Sequence, residues 1–233
     1  MGVPYWTAQK SRKGSNMNRE EYLKHADEVD DWAPGWDAIE DCFKKLYPGQ
    51  EPKHYGALMQ SRARFGGDQY IDGYSIYQSK KGYSHIVTFG MSELYVNPDS
   101  FGGEYSKWGY EMTMKLPADT DYMWAIDVLS ILARYTFTQS KFFEPFQYIY
   151  GSKNPIKMGS KTKLTSFIVV QDTELKEIDT LHGKLDFMQL VGITQKEVDS
   201  IVKNPDLAKV LVEKMRNDNP MLVTDISRTK EYL

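Results

Sequence analysis

The 233 residues predict an α/β chain of the α+β type, a single mixed β-sheet domain packed by helices. Three observations carry that prediction. Residues 108–116, WGYEMTMKL, alternate apolar and polar side chains with the period of two that defines a strand. Trp36, Ile39, Phe43, Leu46 and Tyr47 recur at helical offsets and share one face. No repeat, low-complexity tract or linker interrupts residues 35–230, so one body is expected. The expected division is a flexible tail and acidic approach over 1–30, then the domain over 31–233.

Along the chain, residues 1–18 read as a loose tail within which Met17 is an alternative start of translation. HADEVDDW, 25–32, places Asp27, Glu28, Asp30 and Asp31 within five residues. It reads as a solvated approach to the first helix or as an acidic contact patch. A helix follows from Pro34, which suits a first turn, and Pro48-Gly49 stops it by removing a donor and permitting positive φ. The polar stretch YPGQEPKHYG, 47–56, is therefore the corner where a helix hands over to a sheet. YIDGYSIYQ and YSHIVTFG flank SKKG as a hairpin. In 108–116, Trp108, Tyr110, Met112, Met114 and Leu116 form the expected buried face, with Gly109, Glu111, Thr113 and Lys115 on a wet one.

Asp119 or Thr120 is expected to cap a second helix with Trp124, Val128, Ile131, Leu132 and Tyr135 along its stripe. Strands follow at 143–150, LTSFIVVQ and KLDFMQLVGI. The unbroken run 167–170 suits a strand covered on both faces. Thr194-x-x-Glu197 is a capping box for a helix with Val198, Ile201 and Val202 inward. Asn204-Pro205 opens another, with Leu207, Val210, Leu211 and Met215 on its apolar face. MLVTDIS reads as a last strand.

Composition narrows function by exclusion. A net charge of −3 argues against non-specific nucleic-acid binding. No window is long and apolar enough for a membrane span, and the polar N-terminus has no signal peptide core. Cys42 is the only cysteine, so an internal disulfide and a cysteine-based zinc site are ruled out and a reducing, cytoplasmic location is expected. His25, His54, His85 and His182 lack metal-ligand spacing and read as structural, with His54 the alternative catalytic candidate. Cys42 sits mid-to-late in its helix, where the dipole does not activate a thiol. RFGGDQY and SFGGEYSKWG match no phosphate-binding loop, and no G-x-S-x-G elbow is present. No catalytic residue, cofactor or metal is expected. QDTELKEIDT, 171–180, offers Asp172 and Glu174 within an acidic face for a basic partner, or an ordinary solvated loop. The strand 108–116 and its neighbours can also offer an edge for an added strand.

The segments GWDAIEDCFKKLYPGQEPKH, TFGMSELY, GYEMTMKL, LARYTF, FMQLVGIT and LVTDISR resemble, in order and spacing, the suppressor of fused family over residues 35–230. The resemblance implies that family's fold and a non-enzymatic, protein-binding function. The animal member grips an extended peptide of a transcription factor between two domains by strand addition, and this chain is expected to end after the first domain. Single-domain bacterial relatives are regarded as immunity proteins against polymorphic toxins, and that is the function the resemblance implies here. A regulator binding an extended peptide of a signalling or transcription partner is the alternative. Tyr110, Glu111, Met112 and Thr113 match the family's G-[FY]-E-[LM]-T strand, and Thr224-Asp225 its terminal T-D. With Asp172, Glu174 and Asp225 they are the expected partner contacts, or equally fold-defining residues. The sequence leaves the partner's identity and the oligomeric state open.

Overall fold

A computed structural model describes residues 17–56 and 70–233. The tail expected over 1–18 falls outside it up to residue 16, as does most of the RFGGDQY loop. The described elements run α1 (Arg19–Glu28), α2 (Pro34–Leu46), β1 (Lys53–Gly56), β2 (Gly73–Ser79), β3 (Tyr83–Phe89), β4 (Tyr105–Pro117) and α3 (Met123–Gln139). Then follow β5 (Tyr148–Ile149), β6 (Leu164–Gln171), β7 (Ile178–Thr180), β8 (Gly183–Thr194), α4 (Gln195–Lys203) and α5 (Leu207–Asp218).

The strands form one mixed sheet in the order β1-β2-β3-β4-β8-β6-β5, with β7 also on β8. Only β4 and β8 run parallel, with Glu111 opposite Phe187; every other pairing is antiparallel. One face buries Ile86, Met112, Met114, Val169 and Leu190 against Leu129 and Ala133 of α3. The other face is split. Near β3, Tyr77, Val87, Phe89 and Phe187 pack on Ile39 and Phe43 of α2. Near β6, Ile168, Val170, Val191 and Ile193 pack on α4 and α5. The architecture is thus helix, sheet, helices, with two apolar clusters flanking a polar channel.

Local signals held where local chemistry decides. The Tyr47 N–H donates to Phe43 O at 2.7 Å to close α2, and Gly49 at φ +74° turns the chain toward β1. YPGQEPKHYG is that corner. Thr194 and Glu197 form the capping box of α4, each accepting from the other's backbone N–H. The β2–β3 hairpin forms with Ser79 opposite Tyr83.

Several expectations need correction. β4 has no wet face: Glu111, Thr113 and Lys115 are as buried as Met112 and Met114. Alternation shows that its faces differ in chemistry, and α2, α4, α5 and the turn after β6 cover the polar one. Nor is β4 an edge, because β3 and β8 flank it. α1 stands where a solvated approach is predicted. Its capping box, Asn18 with Glu21, carries a helix whose only buried residue is Tyr22, so no apolar stripe announces it. α3 begins at Met123, later than the expected caps: Asp119 takes φ +61°, and the Thr120 hydroxyl donates to Pro117 O. Of the expected stripe, which Ile126 and Leu129 widen, Trp124, Ile126, Leu129 and Leu132 are buried together with Ala125 and Ala133, while Ile131 and Tyr135 are exposed.

The strand expected over 143–150 shrinks to Tyr148–Ile149, because Pro145 lacks an N–H and Phe146 sits at φ +70°. Val202 and Val210 are exposed, and α5 starts at Leu207 after Asn204 Oδ1 accepts from Asp206 N. MLVTDIS forms no strand. Asn219 brackets Val223, donating to its carbonyl at 2.8 Å and accepting from its N–H at 3.0 Å, while Leu222 takes φ +50°. That side-chain bracket replaces a ladder.

Candidate protein-interaction surface

Three polar sets inside the fold account for most of the sequence-predicted site residues. Glu111 is the first. Its carboxylate accepts from the Gly90 N–H (3.0 Å), the Met91 N–H (3.3 Å), the Ser92 N–H and hydroxyl (2.9 and 2.6 Å) and the Thr88 hydroxyl (2.7 Å). Burial pushes its pKa up, and the Ser92 and Thr88 hydrogen bonds pull against that shift. Gly90 stands at φ +124° and a Cβ there would meet Asp72 at 2.9 Å, so glycine is required to aim this turn at the carboxylate. The F-G-x-S turn and the G-[FY]-E strand therefore lock one another.

The second set fills the channel between the apolar clusters. Lys115 Nζ reaches Asp172 Oδ1 (3.1 Å), Thr173 Oγ1 (2.6 Å) and Glu174 Oε2 (3.1 Å). Asp172 Oδ2 pairs with His85 Nε2 at 3.0 Å and accepts from the Thr113 hydroxyl at 2.7 Å. Asp172 Oδ1 caps the turn, accepting from the Glu174 and Leu175 N–H groups at 2.8 and 3.1 Å. Tyr47 hydrogen-bonds His85 Nδ1, and the Tyr83 hydroxyl donates to Glu174. Burial opposes the charge on Asp172, but His85 and Lys115 outweigh it and hold the carboxyl well below its ordinary value.

In the third set Arg228 grips buried Glu197 bidentately, both contacts at 2.8 Å, and donates to Gly192 O at 3.1 Å. Tyr232 N also donates to Glu197 at 3.0 Å, so the segment after α5 is clasped to the start of α4.

The structure thus brings Thr113, Asp172 and Glu174 together and places Glu111 in a separate set. Tyr110 and Met112 lie in the core beside α3. The expected partner contacts Tyr110, Glu111, Met112, Thr113 and Asp172 are corrected to buried side chains, because each faces a covered side of the sheet. Glu174 is nearly covered. Asp225 alone is exposed, and its carboxylate caps a turn by accepting from Ser227 N at 2.8 Å. Among the described residues nothing gathers three or more His, Cys, Asp or Glu side chains where a metal could sit. Cys42 is half-buried and burial raises its thiol pKa, which disfavours the thiolate.

Among the described residues the sheet ends in β1 on one side, with all four of its residues exposed, and in β5 on the other, where exposed aromatic side chains gather. The segment 141–151, KFFEPFQYIYG, holds five aromatic residues. Phe143 turns inward and stacks on Tyr135 with ring centroids 6.0 Å apart. Phe142 is 55% exposed and Tyr148 40%. Val169 N donates to Gln147 O at 2.8 Å, so the alternation of an antiparallel ladder turns the Tyr148 N–H and C=O outward. A short strand with outward backbone groups and apolar borders is a template for another strand. The sequence predicts a strand over 143–150 but not that it ends the sheet; the signal for that was aromatic density around Pro145 without alternation.

The family model for Suppressor of fused protein (SUFU) matches residues 67–229. This chain belongs to the suppressor of fused family. The human and mouse Suppressor of fused homologs are each 25% identical over 212 residues, covering 83% of this chain and 43% of theirs, so it spans under half of those relatives. The Sufu–Fu complex structure aligns at TM-score 0.74 and 24% identity over 86% of this chain and 93% of that one. Drosophila Suppressor of Fused aligns at 0.73 and 24% over 86% of this chain and 51% of its own. A putative SUFU homolog from Neisseria gonorrhoeae FA 1090 aligns at 0.56 and 14% over 84% and 96%. These likenesses establish the shared fold, a mixed sheet covered by helices. Among the described residues no helix of this suppressor of fused domain is long and apolar enough to cross a membrane.

Proposed function

We propose that this suppressor of fused domain is a non-enzymatic protein-binding module that takes an extended segment of its partner onto the β5 edge. The observation that carries the proposal is the pairing of outward Tyr148 backbone groups with exposed Phe142 and Tyr148 side chains at one end of the sheet. Strand addition gains main-chain hydrogen bonds there, and the apolar borders contribute burial at about 25 cal/mol per Å². Support also comes from family membership and from a relative whose structure was solved as a Sufu–Fu complex. In this proposal Tyr110, Glu111, Met112, Thr113 and Asp172 act from within, holding the sheet that presents the edge, while Glu174 and Asp225 border the surface.

Tyr148→Pro tests the site, since it deletes the outward donor without removing a ladder bond. Partner binding is expected to fall by at least about tenfold, the loss of roughly one hydrogen bond, with thermal unfolding nearly unchanged. Tyr148→Ala separates the ring from the backbone. Undiminished binding by the proline variant contradicts edge addition.

The partner class proposed is a toxin domain that this chain neutralises in the cytoplasm, as the resemblance to single-domain bacterial relatives of the family implies. Co-purification with the product of a toxin-like gene encoded beside it tests this. A stoichiometric complex that abolishes toxicity supports it, and the absence of such a gene or complex favours the regulator that binds a signalling peptide.

A further inference from the structure

The β5 edge separates two unlike flanks. Opposite residues of an antiparallel pair share a face, so Tyr148 opposite Ile168 points to the α4–α5 side, and Ile149 opposite Phe167 to the α3 side. The α3 flank is apolar: Ile149 packs on that side, and Tyr135 of α3, 40% exposed, stacks on Phe143. The α4–α5 flank carries a local cluster of lysines. Lys163, Lys196 and Lys203 line one open groove with Gln195, whose amide donates to the Tyr150 hydroxyl at 3.0 Å. Lys209 Nζ lies 5.6 Å from the centre of the Phe146 ring. Asp199 and Glu231 share that groove; Glu231 pairs with Lys196 at 3.1 Å, and Asp199 accepts from Gln195 at 2.7 Å. Among the described residues no carboxylate pairs with Lys163, Lys203 or Lys209. Residues 140–163 carry five lysines and one carboxylate, in a chain whose net charge is −3.

We propose that the edge selects an extended protein segment whose side chains alternate between apolar and acidic. This rests on strand addition at β5. A strand laid there sends successive side chains to opposite flanks, one apolar and one lined by lysines. Its apolar residues meet Ile149 and Tyr135, and its carboxylates meet Lys163, Lys203 and Lys209. Lysines and aromatic rings also suit single-stranded nucleic acid, but stacking needs an open ring face. Lys209 covers Phe146, but Phe142 and Tyr148 keep exposed rings; the outward main-chain groups of Tyr148 favour a protein strand, and oligouridylate enters the test as the rival ligand.

The test is fluorescence anisotropy of the full chain with three short labelled peptides: alternating Val-Glu, alternating Val-Lys, and the Val-Glu composition arranged in two blocks. The Val-Glu alternation is expected to bind about tenfold more tightly than either of the others, the scale of two or three exposed ion pairs. The preference is expected to shrink with added salt and to reverse toward Val-Lys in the Lys163→Glu/Lys203→Glu variant. Equal binding of the two alternating peptides, abolished by Tyr148→Pro, overturns the charge assignment and leaves strand addition standing. Binding of no peptide, or binding that Tyr148→Pro leaves intact, overturns both. Oligouridylate that binds more tightly than the Val-Glu peptide also overturns the proposal.

Discussion

Asp172 and Glu111 are buried carboxylates in unlike company, and they respond to pH in opposite senses. Asp172 is held below its ordinary value, so its contribution is present above about pH 4 and fades as pH falls below that. Asp172→Asn removes one of the two carboxylates paired with Lys115 and leaves Glu174 as the other, and a loss of about 1–3 kcal/mol at pH 7 is expected. Urea unfolding at pH 7 and pH 3 checks both points: the gap between wild type and variant should be widest at pH 7 and already smaller, though still present, at pH 3. Glu111 has a raised pKa, so its contribution is full below about pH 4 and is lost as pH rises through the raised value. Glu111→Gln turns an NH₂ toward the Thr88 hydroxyl or the Gly90 and Ser92 N–H donors. The expected cost is about 1–3 kcal/mol, shrinking as pH rises. A pH-independent difference in either variant contradicts the assignment.

At the scale of elements, what neighbours in sequence decide was legible. The α2 stripe, the β2–β3 turn and the Thr194–Glu197 box are all settled within a few residues. The burial of Glu111, Thr113 and Lys115 was not, since it depends on α2, α4 and α5 arriving from distant parts of the chain to cover a polar face. The G-[FY]-E and F-G-x-S motifs were visible, but their contact across β3 and β4 was not. The β5 edge was hidden because Pro145 and Phe146 break the strand that aromatic content suggests. The segment after α5 was read as a strand, yet Arg228 clasps it through a charge pair with Glu197. Arg228→Ala strands that carboxylate, so a loss of about 3 kcal/mol is expected. Hydrogen exchange should show faster exchange over residues 226–233 and little change in β2–β3; uniform acceleration contradicts a local clasp.

For the whole molecule, one sheet joins all three apolar clusters, so unfolding is expected to be a single cooperative transition, checked by coincident near- and far-ultraviolet circular dichroism curves. The interior polar sets spend their hydrogen-bonding capacity on holding the sheet. The function proposed follows from what that sheet exposes at its β5 end. Amide hydrogen exchange with and without a bound Val-Glu alternating peptide tests this most directly. Slowed exchange at Tyr148–Tyr150, with the β4 and β8 amides unchanged, is the predicted result. Protection confined to any other part of the chain, with Tyr148–Tyr150 unaltered, contradicts it.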